Sequence, residues 1–144
     1  MMQKGDSLPT IEKVITQDQI EKYARVSGDF NPIHVDHGFA SSTQFGGTIA
    51  HGMMVAAAIS EMMATAFGCS WLESGSMKIR FRSPVKPGQR IATQGSVRRI
   101  ETSEGVSSVL CSVSVVKDDG ETAIAGQAEV VITDSMMRKG PRRR

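Results

Sequence analysis

Two hydrophobic periods divide this chain. Up to Gly68 apolar residues recur at helical spacing, whereas from Met77 onward they alternate with polar ones. Ile20, Tyr23, Ala24 and Ser27 share one face of a predicted helix. That helix opens at Thr16-x-x-Gln19, a capping-box pattern, and ends at Gly28. A second helix is predicted to begin near Thr48 to Ala50 and to end before Gly68. Its Met53, Met54, Val55, Ala56, Ala57, Ala58, Ile59, Met62, Met63 and Phe67 make it apolar around most of its circumference. Such a helix must be surrounded by protein.

The period then drops to two. Met77, Ile79 and Phe81 alternate with Lys78, Arg80 and Arg82, and Pro87-Gly88 follows as a turn. Ile91 to Arg99 reads as a second strand of this set, and Val109, Cys111, Val113 and Val115 mark a third. Asp119-Gly120 is a hairpin signal, after which Thr122, Ile124, Gly126, Ala128, Val130 and Ile132 form one face of a fourth. Residues 8–15 add a weakly alternating first strand. One buried helix followed by four strands predicts the α+β class, an antiparallel sheet wrapped around a long central helix.

Composition narrows the setting. At 144 residues the chain fits a single domain, expected over residues 1–135, with a basic and disordered tail over 136–144. The net charge of +2 arises in that tail: five of the 17 basic residues are Arg138, Lys139, Arg142, Arg143 and Arg144. The remainder holds 12 basic against 15 acidic residues, so the folded body has no general positive excess for nucleic acid. Ala50 to Gly68 is the one candidate membrane span. It carries Glu61, is rich in small residues, and is too short and polar for a bilayer. The chain opens without a basic-then-apolar signal segment, and its two cysteines form no CxxC pair. A reduced, cytoplasmic protein is expected.

The chemistry concentrates in Ser27-Gly28-Asp29-Phe30-Asn31-Pro32-Ile33-His34. On an unbroken helix, positions five apart would point about 140° away from each other. Gly28 and Pro32 break the helix between Asp29 and His34, so the turn can bring carboxylate and imidazole onto one small target. A carboxylate and an imidazole on one water suffice for general acid–base chemistry near neutral pH. Asp29, His34, Asp36, His37 and His51 also form a loose cluster of metal-ligating types. They lack the regular spacing of zinc motifs, and no metal is expected. His37 is expected to be exposed, and His51 to pack or bond near the start of the long helix. The four methionines Met53, Met54, Met62 and Met63 read as core packing.

The run from Tyr23 to Ala40 closely resembles the signature of the MaoC-like, R-specific enoyl-CoA hydratases, which have the hot-dog fold. Tyr23, Ser27, Gly28, Asp29, Asn31, Pro32, Ile33, His34 and Ala40 all fit it, and Phe45-Gly46-Gly47-Thr48-Ile49-Ala50-His51-Gly52 looks like the approach to that family's central helix. The sequence departs from the pattern at His37-Gly38, where relatives commonly carry a better helix-starting pair. The resemblance implies that Asp29 and His34 are catalytic and hold a water between them. It implies that the Gly52 N–H is the oxyanion donor for the thioester, with Asn31 and Ser27 in supporting roles. It implies no cofactor, an acyl-CoA or acyl carrier protein thioester as substrate, and a homodimer or higher homo-oligomer.

Two other functions suit the same fold. A hot-dog thioesterase usually places its carboxylate on or beside the central helix, where Glu61 is the one acid available. A non-catalytic acyl-thioester-binding or partner subunit would be expected to lack one of the two acid–base groups, and this chain keeps both.

Overall fold

The computed structural model describes residues 2–133. The first helix, α1 (Gln17–Ser27), opens on a complete capping box, Thr16 Oγ1 accepting from the Gln19 N–H while the Gln19 side chain reaches back to Thr16. It ends at Gly28, whose φ of 77° is a left-handed conformation that glycine adopts without strain. Asn31 is extended, and a new short helix, α2 (Pro32–Val35), starts directly on the proline. Proline suits that first position because its missing N–H would have no intrahelical partner there. A further short helix, α3 (His37–Ser41), forms despite the poor His37-Gly38 start, because the Asp36 carboxylate caps the Phe39 N–H at 3.0 Å.

The long central helix, α4, spans Gly52–Phe67 and so begins later than its sequence suggested. The preceding residues are held extended by tertiary bonds: the Ile49 N–H donates to Ile33 O and the Ala50 N–H to Val85 O. Met62, Met63 and Ile59 are fully buried, as a central helix requires. Met53 is not; it is 60% exposed, so the expectation of four core methionines fails at this position in the single chain. Met53, Ala57, Glu61 and Thr65, each four residues apart, form an uncovered stripe. A short helix that hydrophobic period did not reveal, α5 (Cys69–Ser74), follows Gly68 and anchors itself through Trp71 Nε1, which donates to Ser60 Oγ at 2.9 Å.

Among the described residues, five antiparallel strands make one sheet. β1 (Glu12–Val14), β2 (Ser76–Phe81), β3 (Arg90–Ser103), β4 (Val106–Lys117) and β5 (Thr122–Thr133) lie in the order β1-β3-β4-β5-β2. On β4 every second residue from Ser107 to Lys117 is buried, the signature of one sheet face packed on a helix. β3 and β4 are longer than expected because Glu104-Gly105, both at positive φ, turn the chain tightly between them. The first strand is shorter than residues 8–15: Pro9 lacks a ladder donor, and only isolated bonds such as Leu8 N–H to Gly95 O precede β1. With α4 lying across β3, β4 and β5, this is the hot-dog arrangement. No helix among the described residues is long and apolar enough to cross a membrane. The expected basic tail over 136–144 lies outside the described residues.

The irregular strand before β1 hangs on a buried hydroxyl. Thr93 accepts the Ile11 N–H at 2.8 Å through Oγ1 and donates its own N–H to Ile11 O. Thr93→Val keeps the shape and leaves the Ile11 N–H without its partner, so it is expected to cost about 1–2 kcal/mol. A urea titration checks this through the shift in midpoint at unchanged slope.

Candidate active site

The Asp29–His34 turn is built from local bonds. The Ser27 hydroxyl accepts the Asp29 N–H at 3.2 Å, and Asp29 Oδ1 accepts the Asn31 N–H at 3.2 Å. Asn31 Oδ1 accepts the Ile33 N–H at 3.1 Å and so caps the helix that carries His34. Ser27 and Asn31 therefore bond to the backbone that holds the two ionisable groups. Around this turn the rest of the fold closes. Gln17 donates to His34 O at 2.9 Å and accepts from the Thr48 hydroxyl at 2.7 Å, tying α1 to both sides of the site.

His34 is buried, and its Nε2 lies 4.0 Å from Asp29 Oδ2. That is too long for a direct hydrogen bond. Asp29 remains half-exposed, with 54% of its side chain accessible. His34 Nδ1 sits 2.8 Å from Ile49 O, a carbonyl that can only accept. The proton of the neutral ring therefore belongs on Nδ1, which leaves the Nε2 lone pair facing Asp29. The backbone bond from Ile49 to Ile33 runs beside this contact, so ring and main chain of the turn dock together on the residues before α4.

His51, fully inside, stacks on His34 with ring centroids 3.8 Å apart and planes 26° apart. Its Nε2 meets Asp29 O at 2.9 Å and so carries the proton, while its Nδ1 is buried with no partner among the described residues. Asp29, His34 and His51 thus offer ligand atoms within 4.8 Å of one another. The stack is ill suited to a metal, because the in-plane lone pairs of near-parallel rings do not converge on one ion. His37 lies exposed on α3 and is not a member of this cluster.

Gly52 is the first residue of α4, where backbone N–H groups have no intrahelical acceptor and the helix dipole is positive. The Phe81 ring lies against it. A Cβ added at Gly52 would come 2.7 Å from Phe81 Cε1, so only glycine fits beneath that ring as it stands. The loop in front of α4 is braced from the far side by Lys117, a buried ammonium donating to Pro84 O at 3.0 Å and to Glu121 at 3.2 Å. Val85, beside Pro84, accepts the Ala50 N–H. Of the other candidate chemistries, burial pushes the Cys111 thiol up to about 11, so it is no nucleophile near neutral pH. Glu61 is held by Lys13 at 2.7 Å, at the exposed side of α4.

A sheet wrapped around a central helix is the hot-dog fold, and here a carboxylate and an imidazole lie beside that helix's N-terminus. Residues 3–118 match the MaoC-like domain, and the chain belongs to that family of hydratases and dehydratases. It is 34% identical over 123 residues to 3-hydroxyacyl-thioester dehydratase Z of Mycobacterium tuberculosis, covering 82% of this chain and 81% of that one. It is 30% identical over 117 residues to 3-hydroxybutyryl-CoA dehydratase of Methylorubrum extorquens, covering 79% and 74%. The unliganded R-hydratase PhaJ1 of Pseudomonas aeruginosa superposes with a TM-score of 0.77 at 29% identity, over 90% of this chain and 81% of that one.

The hydrogen bonds assign opposite tautomers to the two stacked rings. In the neutral protein, His34 carries its proton on Nδ1 and His51 on Nε2. Assigned long-range nitrogen–proton spectra should show an Nδ1–H ring for His34 and an Nε2–H ring for His51, with the exposed His37 assigned separately; Nε2–H on both His34 and His51 would contradict the geometry.

Proposed function

We propose that this protein is a hydro-lyase interconverting trans-2-enoyl-CoA and (R)-3-hydroxyacyl-CoA. The observation that carries the reading is the 4.0 Å gap between Asp29 Oδ2 and His34 Nε2, a span that suits one water accepted by both. Asp29 takes a proton from that water as the hydroxyl adds to C3 of the enoyl thioester. That proton crosses the gap from Asp29 to the Nε2 lone pair of His34, and His34 passes it from Nε2 to C2, so the pair ends as it began, carboxylate and neutral Nδ1–H ring. Water is thereby added with nothing left over, and dehydration is the same path reversed.

Addition drives negative charge onto the thioester oxygen as an enolate. The Gly52 N–H, at the positive end of α4, is the donor in this reading. Gly52 directly follows His51, whose ring stacks on His34, so donor and acid–base pair adjoin. Asn31 and Ser27 support the pair through the backbone bonds described above. The names of the related dehydratases favour a 3-hydroxyacyl thioester, with coenzyme A or acyl carrier protein as the carrier. The thioesterase alternative is disfavoured by Glu61, which is tied to Lys13 on the exposed stripe of α4. The two cysteines, both free thiols, suit a cytoplasmic location.

Crotonyl-CoA tests this reading. The wild-type protein is expected to bleach the enoyl absorbance without releasing thiol and to form a single 3-hydroxybutyryl-CoA enantiomer, because Asp29 and His34 present water to one face of the bound alkene; the likeness to R-hydratases favours the R hand. Asp29→Asn and His34→Ala should each lower kcat by at least ~10²-fold in a folded protein. Thiol release in place of bleaching would make it a thioesterase, and neither change a binding subunit. Near-wild-type turnover in either variant, or an S product, would sink the assignment.

The active form in this reading is a homodimer. Among the described residues, β2 ends the sheet with one backbone edge unpaired, and the stripe of Met53, Ala57, Glu61 and Thr65 on α4 lies uncovered. Phe81, at the end of that edge strand and against Gly52, is 55% exposed. A second copy along β2 would shield these groups and exclude water from the thioester. Light scattering at micromolar concentration should give at least twice the 15.5 kDa of one chain; a monomer alone would count against it.

A further inference from the structure

We infer that His51 is a positioning residue for this reaction, one imidazole that fastens the Asp29 loop and the His34 ring to the start of the central helix. The inference rests on the hydro-lyase reading of Asp29 and His34. His51 sits at the N-cap of α4, a place where serine, threonine, aspartate or asparagine would bond the helix's first N–H groups. Its side chain makes no such bond. It turns instead to the turn that carries the acid–base pair, donating through Nε2 to Asp29 O and stacking on His34. The Tyr23 ring lies next to it, tilted at 54° with centroids 4.7 Å apart.

Among the described residues, the bond to Asp29 O is the one hydrogen bond of the 28–31 segment that reaches beyond its sequence neighbours. Gly28 N–H goes to Ala24, Asp29 N–H to Ser27, Asn31 N–H to Asp29, and Asn31 O accepts from His34. All of these join neighbours within four residues, whereas His51 is 22 residues from Asp29. A half-exposed aspartate on a short loop has many accessible positions, and local bonds move with the loop. The His51 bond refers Asp29 to the central helix, and the stack refers His34 to the same ring. With His34 already docked by Ile49 and Gln17, His51 sets the gap that the water must fill from the Asp29 side.

A ring present for packing alone would also be better apolar. The buried, unpartnered Nδ1 of His51 is an unfavourable feature that an aliphatic residue of similar size would not carry. The donor at Nε2 is what the imidazole adds. A misplacement of about 1 Å in a reacting group can lower the rate by ~10²-fold without touching substrate binding.

His51→Leu fills the buried space without a donor, while His51→Gln restores an N–H near the position of Nε2. Steady-state hydration of crotonyl-CoA, with circular dichroism to verify folding and Asp29→Asn measured alongside, separates the possibilities. His51→Leu should lower kcat by about 10–100-fold with KM within roughly threefold of wild type. His51→Gln should return kcat to within about fivefold, a recovery that a merely space-filling role would not produce. A folded His51→Leu protein with kcat within twofold of wild type, or a Gln variant no better than the Leu variant, would overturn the inference while an inactive Asp29→Asn left the reading of the site intact. Normal turnover in Asp29→Asn would overturn both.

Discussion

Two bonds at Ile49 hold the site together. Its N–H donates to Ile33 O, and its carbonyl accepts a hydrogen bond from His34 Nδ1–H. Through them a turn that could point anywhere is docked on the last extended residues before the central helix. The same contact settles the His34 tautomer, leaving Nε2 to face Asp29, and it delays the start of α4 until Gly52. Chemistry and fold meet at this point: a turn made rigid by its own Asx bonds, and a helix N-terminus with N–H groups to offer. Gln17 reinforces the junction by bridging His34 O and the Thr48 hydroxyl.

The sheet supplies the stiffness on which this junction depends. Alternating burial along β4 and the fully buried Ile59, Met62 and Met63 pack α4 into the sheet, so its N-terminus cannot drift. The loop that accepts the Ala50 N–H is in turn braced by Lys117, a charge that is tolerable inside because Pro84 O and Glu121 surround it. The uncovered parts are equally specific. Met53, Ala57 and Phe81 lie open in the single chain, beside or along the helix that bears Gly52.

The Asp29–His34 pair was legible in the sequence because everything that shapes it is local: Gly28 and Pro32 break the helix, and the side chains that cap it lie within a few positions. The class was legible for a similar reason, since a fully apolar helix followed by period-two strands has few packing solutions. What sequence did not disclose depends on distant partners. The start of α4 is set by Ile33 and Val85, the survival of α3 by one Asp36 cap, and the uncovered Met53 by the span of a sheet that no periodicity measures. α5 is too short to show a period. His51 was read as a residue that packs or bonds near the helix start, and it does; its link to Asp29 spans 22 residues and left no mark in spacing.

The central claim is that Asp29 and His34 act together on one water. A double-mutant cycle in kcat for hydration of crotonyl-CoA, using Asp29→Asn, His34→Ala and the combined variant, measures that directly. If the two serve a single water, removing the second group from an already crippled site adds little, and the double variant falls to about the level of the worse single one. Losses that multiply in full would mean two independent roles and would contradict the account.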